Sequence, residues 1–123
     1  KKKFERNSLY EIKKRKIKFL CLAGFIKILS KNFIEKFKYE IVNIHPSLLP
    51  KFKGLNPHRK VLKNKEKYTG CTIHYVTTEL DSGSIILQKK IPVKKNETEN
   101  SLRKRVLEYE HKLYPEAIRL IFK

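Results

Sequence analysis

The sequence predicts an α/β domain in which strands and helices alternate and the first two strands run parallel. Three observations carry this. Residues 17–23 are apolar apart from Lys18, as suits a strand buried on both faces of a parallel sheet. A helical pattern comes next, with Ser30 placed as N-cap and Phe33, Ile34 and Phe37 at helical spacing. A second strand, residues 40–45, comes after it. Strand, helix, strand at this spacing is a right-handed crossover, which joins parallel strands.

Residues 4–16 form a helix ahead of this unit, with Leu9 and Ile12 three apart and charges elsewhere. Gly24 ends the first strand. The second strand runs into Pro46, which cannot donate to a sheet ladder, and Pro50 stiffens the loop beyond it. Residues 51–55 are loop. Asn56 then Pro57 reads as N-cap and first helical position of a short helix over 58–64. Gly70 opens a third strand, residues 71–76, rich in β-formers. Residues 77–84 form a loop containing Asp81-Ser82-Gly83. A fourth strand covers 85–93, and Pro92 marks an edge or strand end. Residues 96–100 are polar and cap a last helix with an apolar stripe of Leu102, Val106, Tyr109, Leu113, Leu120 and Ile121. Glu99 with Arg103 and Glu108 with Lys112 are supportive pairs one turn apart. Pro115 is expected to kink this helix. All four glycines are expected at element boundaries.

Composition narrows the function classes. A chain of 123 residues is long enough for one domain with its own core, and 40% hydrophobic residues exclude a disordered tail. No apolar run approaches a membrane span, and no apolar stretch comes after Lys1-Lys2-Lys3. A membrane is not an expected partner. Cys21 and Cys71 lie in apolar strand-like runs, so two buried thiols in a reducing, cytoplasmic compartment are expected rather than a disulfide. The formal charge is +18. Its lysines are scattered through every segment, and residues 13–16, the nearest thing to a patch, have no interleaved aromatics for base stacking. Surface composition is therefore the expectation, not a nucleic-acid partner. The same field would favour an anionic small molecule.

Residues 43–50 (NIHPSLLP) hold the most distinctive chemistry. Asn43 and His45 are two apart on an extended backbone and project from the same face, while Ile44 points the opposite way. They sit at the carboxyl end of a parallel strand, where open α/β sheets bind ligands. Asp81 lies in a later loop from which it can reach His45. An amide, an imidazole and a carboxylate suit reactions that build negative charge on a carbonyl oxygen. No serine or cysteine stands in a nucleophile context, so direct transfer between substrates is favoured over an acyl-enzyme. No metal is expected, because His45, His58, His74 and His111 are isolated and neither cysteine has a nearby partner. The bland alternatives remain open here. Asn43 suits a turn, His45 a hydrogen-bonded surface position, and Asp-Ser-Gly an ordinary turn. His74 suits either core or site lining, and His111 pairs with its helical neighbour Glu110.

Two stretches carry a resemblance: Leu22-Ala23-Gly24-Phe25-Ile26-Lys27-Ile28-Leu29-Ser30, and Asn43 through Pro50. In both the chain resembles the folate-dependent formyltransferases. Residues 54–59 (GLNPHR), 70–76 (GCTIHYV), 79–83 (ELDSG) and 110–115 (EHKLYP) narrow the resemblance to the phosphoribosylglycinamide formyltransferase family. It implies a Rossmann-like formyltransferase fold, a mixed sheet with parallel strands and a C-terminal antiparallel extension, flanked by helices. It implies transfer of a formyl group from 10-formyltetrahydrofolate to the amine of glycinamide ribonucleotide in purine synthesis. It matches Asn43, His45 and Asp81 to the catalytic trio. It matches Ile26, Lys27, Ile28 and Leu29 to the segment whose backbone binds the pterin, and Val76, Thr77, Thr78, Glu79, Leu80 and Asp81 to the folate-pocket loop. Asn43 borders the same pocket. Glu110 matches an acidic contact to the ribonucleotide, and Lys1 stands where a basic residue near the folate is common. Leu107 departs from the pattern, standing where a polar substrate contact is common.

The family begins with a strand and a Gly/Ser/Asn-rich loop for the substrate phosphate, which nothing here matches. The chain is therefore expected to be one formyltransferase domain over 1–123, the C-terminal part of such an enzyme, with low activity by itself. Two sister activities share the trio, methionyl-tRNA formyltransferase and formyltetrahydrofolate deformylase. The 54–59 and 110–115 stretches favour the glycinamide enzyme. A basic nucleic-acid-binding module without catalysis is the reading from a different class, and the intact trio argues against it. The sequence carries no signal for an oligomeric state.

Overall fold

The computed structural model describes residues 2–23 and 29–123. Its order is α1 (Lys2–Lys14), β1 (Phe19–Leu22), α2 (Lys31–Lys36), β2 (Glu40–His45), α3 (Pro57–Lys63), β3 (Tyr68–Tyr75), β4 (Ile85–Pro92) and α4 (Glu99–Ile121). The strands form one mixed sheet in the order β1-β2-β3-β4. β1 and β2 are parallel, with Leu22 opposite Asn43. β2 and β3 are antiparallel, with Asn43 opposite His74 and His45 opposite Thr72. β4 extends the antiparallel part, with a bulge between Ile73 and His74.

The alternation of strand side chains divides the molecule. Ile44, Cys71, Ile73 and Ile91 pack against Leu102, Val106, Leu113 and Ala117 of α4 and Val61 of α3. On the other side Ile41 packs with Phe33 and Phe37, joined by Leu9 and Ile12 of α1 and by Leu20, Leu22 and Leu29. Ser30 caps α2 as expected, its hydroxyl accepting the Phe33 N–H at 3.1 Å. It is tied to α1 by Glu5, whose carboxylate accepts from the Ser30 hydroxyl (2.6 Å) and N–H (2.7 Å).

Several expectations shift. The 17–23 run is not a strand buried on both faces. Among the described residues Phe19–Leu22 pairs with β2 and has no second strand beside it, so its residues are at most half-buried and Cys21 is exposed. Cys71 is buried, and burial pushes its thiol up to about 12. Asn56 precedes Pro57 at the start of α3, but in the left-handed region (φ 57°) and without a capping side-chain bond. Thr98 caps α4 through a reciprocal bond pair with Ser101. That helix continues through Pro115. Of its expected stripe Leu120 is exposed, and Ala117 is buried in its place. Gly70 lies inside β3 rather than at a boundary, because a Cβ there would stand 2.1 Å from the Lys89 carbonyl oxygen. Among the described residues no helix is long and apolar enough to cross a membrane.

Candidate active site

The site forms where β2 ends. Parallel pairing to Leu22 of β1 and antiparallel pairing to His74 of β3 fix the backbone of Asn43 from both sides, and His45 pairs with Thr72 of β3. Directly opposite residues of an antiparallel pair share a face, so Asn43 and His74 stand side by side, as do His45 and Thr72. Beyond His45 the loop is held down by its neighbours. The Thr72 hydroxyl donates to the Ser47 carbonyl (2.7 Å) and accepts the Leu49 N–H (3.2 Å). Gln88 of β4 donates to both the Leu49 carbonyl (3.0 Å) and the Thr72 hydroxyl (2.8 Å). This bracing presents the Phe52 carbonyl to His45 Nε2 at 2.9 Å.

Asp81 reaches the same point from the loop after β3. It adopts φ 47°, a left-handed conformation that Asp tolerates better than most residues. Gly83 beside it lets the chain fold back, since a Cβ there would stand 1.6 Å from the Tyr75 carbonyl oxygen. Asp81 Oδ2 accepts the Gly54 N–H at 2.8 Å and lies 3.5 Å from His45 Nδ1. Its Oδ1 lies 3.7 Å from His74 Nε2. All three side chains are buried, at 9%, 8% and 2% exposure for His45, Asp81 and His74.

The acceptors settle what each ring can donate. The Phe52 carbonyl requires a proton on His45 Nε2, and the Asp81 carboxylate favours one on Nδ1. His74 differs. Its Nδ1 donates to the Tyr75 carbonyl at 3.0 Å, and its buried Nε2 has no hydrogen-bond partner. Burial pulls the His74 pKa below its usual value, against the raising effects of that carbonyl and of Asp81. Burial thus favours the neutral form of His74 beside the carboxylate.

A cavity of about 510 Å³ opens over this cluster. Asn43, His45, His74 and Asp81 line it. Leu22, Leu29, Ile34 and residues 76–80 form one wall, and Arg103, Leu107 and Glu110 of α4 another. The Asn43 side chain lines the cavity and its amide makes no hydrogen bond among the described residues. Glu110 is half-buried with no ion pair among the described residues, and burial pushes its carboxyl up to about 7. The structure therefore brings together Asn43, His45, Asp81, Leu29, Val76, Thr77, Thr78, Glu79, Leu80 and Glu110. The expected folate contacts Lys1, Ile26, Lys27 and Ile28 lie outside the described residues. Among the described residues no group of three or more His, Cys, Asp or Glu is arranged to hold a metal. His58, Asn56 and Arg103 also line the cavity, and sequence reasoning did not assign them to it. Only the position of Pro57-His58 at the start of α3, directly after the site loop, hinted at this.

An amide, an imidazole and a buried carboxylate thus stand beside an apolar cleft at the end of a parallel strand, an arrangement suited to chemistry that builds negative charge on a carbonyl oxygen. The chain belongs to the formyl transferase family, whose model matches residues 1–118. Trifunctional purine biosynthetic protein adenosine-3 of Gallus gallus is 49% identical over 105 residues, covering 85% of this chain and 10% of that protein. Phosphoribosylglycinamide formyltransferase of Escherichia coli (strain K12) is 42% identical over 115 residues, covering 94% and 54%. The crystal structure of phosphoribosylglycinamide formyltransferase from Anaplasma phagocytophilum matches with a TM-score of 0.90 at 43% identity, over 94% of this chain and 57% of that one. The chain thus spans about half the length of the bacterial relatives and a tenth of the avian one.

Proposed function

We propose that this protein transfers a formyl group from 10-formyltetrahydrofolate to the amine of glycinamide ribonucleotide, as a step of purine synthesis in the cytoplasm. Residues 1–123 act as one formyltransferase domain. The observation that carries the reading is the convergence of Asn43, His45 and Asp81 on one wall of a cavity bordered on one side by Leu22, Leu29 and Ile34 and on another by Arg103, Leu107 and Glu110.

The geometry supports a role for each residue. The folate lies along Leu29 and residues 76–81, with Ile26, Lys27 and Ile28 completing the pterin contact and Lys1 the far end. The glycinamide amine attacks the formyl carbon, and the carbonyl oxygen becomes an oxyanion. The Asn43 amide donates to that oxygen. His45 stabilises or protonates the same oxygen, and the Asp81 carboxylate 3.5 Å from Nδ1 orients its ring. The amine gives up a proton towards Asp81 through a water. The oxyanion collapses, the bond between the formyl carbon and N10 of the folate breaks, N10 takes up a proton in place of the one the amine released, and the N-formyl product and tetrahydrofolate leave. Glu110 accepts hydroxyl donors of the ribose.

The test traces the label of a ¹³C-formyl donor with the natural full-length protein. Labelled formylglycinamide ribonucleotide and an equivalent of tetrahydrofolate are expected. Label appearing on methionyl-tRNA, or as free formate with no acceptor, would assign a sister activity instead.

A further inference from the structure

We infer that a second cavity, between the 48–52 loop, the α3–β3 turn and β4, binds a nucleoside monophosphate, with the phosphate on a lysine rim and the base against Thr69. This cavity measures about 650 Å³, within the range of small-molecule sites. It shares no lining residue with the candidate active site, and the inference is independent of formyl transfer. Leu48, Phe52 and Val61 give it an apolar wall, and Lys51, Lys65, Lys67 and Lys90 a cationic rim. Glu66 is the one acid of the lining, and Lys51 Nζ already pairs with it at 3.0 Å. Lys65, Lys67 and Lys90 make no ion pair among the described residues. The Lys90 ammonium lies 4.0 Å from the centroid of the Tyr68 ring. Backbone bonds hold the walls in place: Lys51 N–H donates to the Leu48 carbonyl (3.0 Å), Glu66 N–H to the Val61 carbonyl (3.1 Å) and Val93 N–H to the Lys67 carbonyl (2.9 Å).

Thr69 is what marks the cavity as a ligand site. It lines the cavity at 1% exposure, and its buried hydroxyl has no hydrogen-bond partner among the described residues. Buried polar side-chain atoms nearly all find a partner, because an unmade bond costs the full desolvation of the group. A hydroxyl both donates and accepts, so it matches the edge of a heterocycle, which offers both, and not a hydrocarbon. The apolar wall suits the flat faces of such a ring. Lysines are compact charges on flexible stems and bind phosphate as point charges. A bare phosphate ion would fill only a small part of the cavity and leave the apolar wall uncovered. The net charge of +18 raises the local concentration of anions around the whole chain.

The competing explanation is a threonine kept for its strand preference, beneath lysines that are only solvated surface. Titration of the ¹⁵N-labelled natural full-length protein with AMP and with UMP, followed through backbone amide shifts, separates the two. At least one nucleotide should shift the amides of residues 65–69 and of Lys90 along a single binding curve. Inorganic phosphate and adenosine should each bind about 10-fold or more weakly, since each lacks one half of the contact. Thr69→Val keeps the side-chain shape and should raise the nucleotide Kd about 3- to 10-fold, the range for one neutral hydrogen bond. Thr69→Ser keeps the hydroxyl and should keep the affinity. Lys90 is exposed, so Lys90→Gln leaves the fold intact, and it should weaken binding most at low salt. The inference is overturned if neither nucleotide shifts residues 65–69, or if the shifts fall only on active-site residues such as Val76 and Glu110. An equal response to inorganic phosphate would mean an adventitious ion only, and an unchanged Kd in Thr69→Val would leave the hydroxyl without a part in binding; either result refutes the site.

Discussion

Asn43 owes its place to two neighbours. Pairing to Leu22 and His74 fixes its backbone, and no side chain among the described residues takes its amide. Asn43→Ala should lower turnover by roughly a hundredfold to a thousandfold, the typical cost of one oxyanion donor. Folate affinity, measured by titration, should fall much less. Asp81 stands 3.5 Å from His45 and accepts the Gly54 N–H. Asp81→Asn should lower turnover sharply while folate still binds, and unchanged turnover would remove Asp81 from the chemistry. Spacing alone left turn and surface readings open for Asn43, His45 and Asp81; the resemblance singled them out, and the structure brings them to one cavity. The Phe52 carbonyl and Gly54 N–H were not legible in the sequence, because backbone groups leave no trace in residue type. Arg103 was hidden for another reason: its spacing from Glu99 reads as an ordinary helical pair.

At the scale of elements, the strand–helix–strand crossover and the cap at Ser30 were legible from apolar runs and a single hydroxyl. The exposure of Cys21 was not, since burial of a strand depends on its neighbours in the sheet and not on its own composition. The antiparallel pairing of β3 and β4 came from resemblance rather than from pattern. Gly70 is the sharpest element-level test. A methyl at this position meets the Lys89 carbonyl at 2.1 Å and Leu48 at 2.5 Å. Gly70→Ala should therefore destabilise the fold by about 1–3 kcal/mol, as overpacking does, seen as a lower urea midpoint. At the start of α4, Thr98→Ala should cost about 1 kcal/mol through loss of the cap.

For the molecule as a whole, two buried groups give stability opposite slopes with pH. Glu110 keeps its proton up to about 7 in the fold, against an ordinary value of 4.5. The folded state holds the extra proton between those limits, so this contribution to stability is full below 4.5 and is lost as pH rises through 7. His58 is lowered to about 4 from 6.5. The unfolded chain holds the extra proton there, so that contribution is full above 6.5 and is lost as pH falls through 4. Melting temperatures of Glu110→Gln across this range should lack the first slope, leaving the second. The +18 charge should give only weak binding to random DNA or RNA that vanishes at moderate salt. Formyl transfer by one converged trio is the central claim. Its most direct measurement is the single-turnover rate of transfer to glycinamide ribonucleotide in Asn43→Ala, Asp81→Asn and the double variant of the natural full-length protein, with folate binding monitored in parallel. Groups that stabilise one oxyanion as a unit are not additive, so each single variant should be slow with folate still bound, and the double variant little slower than the slower single. Near-wild-type rates in either single variant would contradict the claim.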